Sequence, residues 1–158
     1  MASFSLVDGA NNHRGRGEER AGLIGGDLTG RVIGLAIKVH RRVGPRLLEH
    51  IYEDCLCQEL SLAGIVFQRQ VRLSLDYDGT QLPRAYRADI VVEKKIILEI
   101  KSIEQILPVH EAQILTYMHL SGCSVGLLLN FNTALLKNGL RRFVQSSSPR
   151  APLPQRPQ

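Results

Sequence analysis

Cysteine is scarce in this sequence: Cys55, Cys57 and Cys123 are the only three among 158 residues. An odd count, with two of them a single residue apart on a helical stretch, supports neither a disulfide framework nor a four-ligand zinc or iron–sulfur site, so they read as buried thiols. Long apolar runs are missing as well. Nothing approaches the roughly 20 residues that cross a bilayer, and the opening MASFSLVDGANNHRGRGEER has no apolar centre of the kind a secretory signal needs. A cytoplasmic protein without a membrane segment is expected. With 44% apolar and 22% charged residues, the composition also excludes a collagen, a disulfide scaffold or a wholly disordered chain. The length suits one domain, because each of two half-size cores would be marginal.

What is present in slight excess is positive charge, with 20 Lys and Arg against 15 Asp and Glu, a net charge of +5. Residues 1–27 carry three Arg and four acids and residues 145–158 two Arg and no acid, which leaves a net +4 on residues 28–144. The excess therefore belongs to the part expected to fold, where it suits a nucleic-acid surface without requiring one.

Residues 1–27 lack apolar periodicity and read as a flexible segment, and QSSSPRAPLPQRPQ (145–158) as a disordered Ser/Pro/Arg tail. Between them no repeat occurs. Val32, Leu35, Ala36, Val39 and Val43 recur at helical spacing up to Gly44, and a second helix is expected from Pro45 to Gly64. The alternating VFQRQVRLSLDY ends at Asp78-Gly79, a hairpin signal, and YRADIVV and KIILEIK follow as two more strands joined near Glu93-Lys94. Pro108 opens a helix that stops at Gly122, SVGLLLN is a strand apolar on both faces, and a turn near Thr133–Asn138 precedes an edge strand LRRFV. This order predicts an α/β fold, a mixed sheet flanked by helices.

Asp89, Glu99 and Lys101 stand out in the central hairpin. Alternation along a strand turns Glu99 and Lys101 to one side and Ile100 to the core, while the hairpin brings the Asp89 strand alongside. Two neighbouring carboxylates and the Ile100 carbonyl supply the oxygen donors a hard cation such as Mg²⁺ takes. Lys101 could orient a water or neutralise phosphoryl oxygens. An exposed Glu-x-Lys salt bridge is the commoner fate of such a pair. Glu99, however, interrupts an apolar run, where a lone carboxylate is costly. On the next helix His110, Gln113 and Tyr117 form a polar stripe, drawn opposite Ile114, Leu115 and Met118, that could hold a phosphate or a base or simply face solvent. Glu49, with Tyr52 and Glu53 on the same helix, could add a further carboxylate. His40, on the apolar side of the first helix, reads as a satisfied core histidine.

GPRLLEHIYEDCLCQEL, YRADIVVEKKIILEIKS and LPVHEAQILTYMHLSGCSVGLLLNFN together resemble the bacterial GxxExxY proteins, a branch of the PD-(D/E)xK nuclease-like superfamily, over residues 28–144. The resemblance implies a restriction-endonuclease-like α-β-β-β-α-β core. It implies Asp89 and Glu99 as ligands of Mg²⁺ or Mn²⁺, Lys101 as the catalytic lysine, Glu49 as the helix carboxylate and Gln113 with Tyr117 as an active-site pair. The residues expected to contact nucleic acid are Arg46, Tyr52, Arg87 and His110. Two departures are visible: Arg46 occupies the position of the family's naming glycine, and Glu93-Lys94 replaces an Asp-Gly turn, suggesting a looser hairpin. The expected activity is metal-dependent hydrolysis of DNA or RNA, with a non-catalytic nucleic-acid- or protein-binding module as the alternative and a phosphoesterase on small nucleotides as a third reading. Many minimal nuclease cores act as dimers or within larger assemblies, so a homodimer or larger assembly is the partner expectation besides nucleic acid.

Overall fold

The computed structural model describes residues 4–7 and 26–146. In chain order they form β1 (Phe4–Val7), α1 (Gly26–Val43), α2 (Glu49–Leu62), β2 (Phe67–Tyr77), β3 (Thr80–Val92), β4 (Ile96–Lys101), α3 (Pro108–Ser121), β5 (Val125–Asn130), a 3₁₀ turn (Leu136–Asn138) and β6 (Leu140–Gln145). One sheet holds the six strands in the order β1-β6-β5-β4-β3-β2. Only the β4–β5 pair is parallel, with α3 as its crossover. The mixed sheet flanked by helices is the expected restriction-endonuclease-like architecture. No helix among the described residues is long and apolar enough to cross a membrane.

β4 and β5 lie mid-sheet and are buried on both faces, as their near-continuous apolar sequence requires. One face packs Ile90, Leu98 and Ile100 against Val32 and Ala36 of α1 and Tyr52, Leu56 and Leu60 of α2. The other packs Ala88, Ile97 and Leu128 against Ile114, Tyr117 and Met118 of α3. Gly126 lets α3 lie close on β5, since a Cβ there would stand 2.6 Å from Met118 Sδ.

Four local expectations need correction. The second helix starts at Glu49, not Pro45, because Arg46 sits at φ +74°, a left-handed conformation that no α-helix contains. The Glu93-Lys94 turn is tight, with φ of +47° and +55° and a 2.9 Å bond from the Lys95 amide to the Val92 carbonyl. β6 is not an edge strand, because β1 pairs with it on the side away from β5, bringing Phe4–Val7 of the N-terminal segment expected to be flexible into the sheet. β3 begins at Thr80, directly after an Asp78-Gly79 turn with both φ positive, so the β2–β3 hairpin runs well beyond the sheet's centre. The Ser/Pro/Arg tail from residue 147 on, and most of the N-terminal segment, lie outside the described residues.

Candidate active site at a strand fork

β3 and β4 pair from Val92↔Ile96 to Ile90↔Leu98 and then part. Asp89 is the first residue past the last pair, and its carboxylate takes over the ladder: Oδ2 accepts the Ile100 amide at 2.8 Å. Asp89 is thereby fixed in the cleft between the strands. Burial first, and then the charge of Glu53, push its carboxyl above the ordinary range, against the lowering effect of the Ile100 amide.

Glu99 and Lys101 share the α3 face of β4, as alternation predicts, while Ile100 enters the core beneath α2. Glu99 is 4% exposed. Its Oε1 meets Lys101 Nζ at 3.4 Å, and its Oε2 is buried without any partner. Desolvation, with Asp89 as a like-charged neighbour, pushes this carboxyl up to about 7 despite the opposing pull of Lys101. A buried acceptor left unpaired is costly.

On α3, Gln113 Nε2 donates to the Tyr117 hydroxyl at 2.6 Å, so the two residues do form a pair. Tyr117 is 4% exposed and packs in the same cluster as Ile114 and Met118, so the stripe is not opposite the apolar side as expected. Its phenol is pushed up by burial and then by the charge of Glu99, which puts it within electrostatic reach of the acids.

On the α2 side, Glu49, His50, Glu53, Arg69, Gln70, Arg87, Asp89 and Ile100 line a cavity of about 370 Å³. Glu49 Oε1 accepts the Ser102 amide at 3.2 Å, tying α2 to the segment that follows Lys101. Glu53 is the more buried acid and accepts from Arg69 Nε at 3.0 Å and Gln70 Nε2 at 2.8 Å. The same Gln70 amide reaches Asp89 Oδ1 at 3.4 Å and so separates two carboxylates. Gln70 was missed in the sequence, since only its φ of +50° and its neighbours distinguish it. Asn130 was missed too. Fully enclosed, it bonds the Ile103 amide and carbonyl and holds the chain leaving β4.

Two of the expected nucleic-acid contacts, Tyr52 and His110, change meaning. Tyr52 is fully buried, stacked on Phe131 at 4.3 Å, and its hydroxyl donates to the Gly44 carbonyl at 2.6 Å and accepts the Leu47 amide at 3.1 Å. It braces the irregular turn before α2 and cannot touch a ligand. His110 spends Nδ1 on the Leu107 amide at 2.9 Å, capping α3. Arg69 is neutralised by Glu53 and Asp54. Arg46 and Arg87 are exposed. His40 is a satisfied core residue, with Nε2 at 2.8 Å from the Thr133 carbonyl. Cys57 and Cys123 are buried and Cys55 partly so, and desolvation pushes the Cys57 thiol up to about 11, which leaves it inert.

The oxygen donors available at the fork are the carboxylates of Asp89 and Glu99 and the backbone of Ile100. Among the described residues no three His, Cys, Asp or Glu side chains gather into a closed cation cage. A two-carboxylate set suits Mg²⁺ or Mn²⁺, which retain waters, better than an ion that needs a full protein shell. The unpaired Glu99 Oε2 fits such an ion.

A family model described as the PD-(D/E)XK nuclease superfamily matches residues 26–143, about three quarters of the chain. No curated protein and no solved structure matches it.

Proposed function

The chain belongs to the PD-(D/E)XK nuclease superfamily, and from that premise we propose that it is a metal-dependent nuclease hydrolysing phosphodiester bonds of DNA or RNA. The observation that carries this reading is Glu99: an ionised carboxylate enclosed in the sheet, with one oxygen unpaired and a second carboxylate beside it, is costly on its own and is relieved by a cation held there. Asp89, Glu99 and the Ile100 carbonyl would hold Mg²⁺ or Mn²⁺, with Glu49 nearby at the cavity wall. Bound there, the ion would lower the pKa of a coordinated water and offset charge on the phosphoryl oxygens.

The remaining work falls to the protein's own groups. The Ile100 amide orients Asp89, and Gln70 keeps Asp89 and Glu53 from meeting as bare charges. Lys101, whose side chain is only 15% exposed, is released from Glu99 once that carboxylate has another partner, and can then orient a water or neutralise a phosphoryl oxygen. Gln113 and Tyr117 present amide and hydroxyl groups on the α3 side, and Arg46 and Arg87 contact the phosphate backbone. Glu49 and Tyr52 match the GxxExxY spacing, and we assign the chain to that branch. The same reading puts the enzyme in the cytoplasm, where free cysteines stay reduced.

The test is cleavage of labelled DNA and RNA with Mn²⁺ present. Asp89→Ala, Glu99→Ala and Lys101→Ala are each expected to lower the rate by roughly 10²–10³-fold or more while circular dichroism shows the fold retained. A wild-type protein that binds nucleic acid but cleaves neither polymer would instead be the non-catalytic module, and the nuclease assignment would fall.

A further inference from the structure

Arg72 and Arg87 stand directly opposite one another in the β2–β3 register, on the part of the hairpin that extends past the last β3–β4 pair. Directly opposed side chains of an antiparallel pair start about 5 Å apart, and like charges placed there destabilise the sheet. Both arginines are exposed, and among the described residues neither lies within salt-bridge distance of a carboxylate. Arg69 and Arg42 differ, being answered by Glu53, Asp54 and Glu59. Among the described residues, then, no carboxylate complements the Arg72–Arg87 pair, which leaves it open to an anionic ligand.

The pair's position says which anion. Arg87 is two residues from Asp89 along β3, a spacing of about 7 Å in extended strand, and Gln70, two residues from Arg72 on β2, donates to Asp89 Oδ1 at 3.4 Å. Arg87 lines the same cavity as Asp89. We propose that Arg72 and Arg87 clamp a phosphodiester of the nucleic-acid strand next to the one lying at the Asp89 fork. The clamp rests on the nuclease reading of that fork. Two planar guanidinium groups facing each other can both donate paired N–H bonds to one phosphate, which turns their repulsion into a bridge. Because it grips backbone, the clamp sets register and carries no base preference.

Fluorescence anisotropy with two labelled probes, a DNA and an RNA oligonucleotide, each single-stranded and annealed, tests the clamp without divalent ions, so that nothing is cleaved. Arg72→Ala and Arg87→Ala are each expected to weaken binding roughly tenfold. Between about 50 and 200 mM salt, the slope of log affinity against log salt should shrink by about one per arginine removed. Melting temperature should not fall, because each substitution relieves a like-charge pair. Arg141→Ala on β6 should leave binding unchanged. A double variant that keeps wild-type affinity and salt slope overturns the clamp, as does wild-type protein that binds neither probe. Loss of binding in the variants of a protein that never cleaves would sink the nuclease reading and leave the clamp standing. Cleavage with unaltered binding would do the reverse.

Discussion

Glu99 concentrates the chemistry of this protein in one side chain. Its carboxyl is raised from 4.5 to about 7 by burial and by Asp89. Below its ordinary range the group is protonated in both folded and unfolded chains and affects stability in neither. Between about pH 4.5 and 7 the folded chain keeps a proton that the unfolded chain releases, so metal-free protein loses stability as pH rises through this window. At about 1.4 kcal/mol per unit, the full loss is on the order of 3 kcal/mol above pH 7. Thermal melts of metal-free protein should therefore show Glu99→Gln more stable than wild type at pH 8 and nearly equal to it at pH 4.5. Equal pH profiles for the two proteins would show that Glu99 is not under this strain. Glu99 and Lys101 were legible in the sequence because strand alternation is local. The roles of Gln70 and Tyr52 were not, because they depend on how α2 docks beside β2 and on the packing of Tyr52 against Phe131.

At the scale of elements, the site depends on irregular backbone at the junctions. Arg46 at φ +74° delays α2, and the Tyr52 hydroxyl ties the displaced turn to Gly44 and Leu47, while the Ser102 hydroxyl donates to the Leu47 carbonyl at 2.6 Å. The turn before α2 is thus bonded directly to the residue after Lys101. A non-glycine residue at such a φ costs about 1–2 kcal/mol, part of which glycine would return through its greater freedom in the unfolded chain. Arg46→Gly is expected to raise stability by roughly 0.5–1 kcal/mol, read from the urea midpoint. A lower midpoint would mean that the arginine's own contacts outweigh its backbone strain. This position also explains why a glycine suits it in the motif the chain resembles. The sequence misled on α2 because proline at N1 is a sound start signal, and nothing local announces that the following residue turns left-handed. The Asp78-Gly79 hairpin was legible for the opposite reason, since that dipeptide selects its own turn.

Across the whole molecule, the sheet divides labour. Its centre, β4 and β5, is sealed on both faces, and the function gathers where β3 leaves β4 and the β2–β3 hairpin reaches outward. The helix–sheet layers could be read from periodicity, while the pairing of Phe4–Val7 with β6 could not, because it joins opposite ends of the chain with few local cues. The net charge of +4 on residues 28–144 is likewise only partly free: among the described residues Lys38, Arg42, Arg69 and Lys101 are engaged by internal carboxylates, whereas Arg72 and Arg87 are not. What unites these features is a cation held at the fork. Anomalous scattering from a crystal soaked in Mn²⁺ measures that directly: a peak bounded by the carboxylates of Asp89 and Glu99 is the predicted result, and a fork with no Mn²⁺ between them in a saturating soak would contradict it.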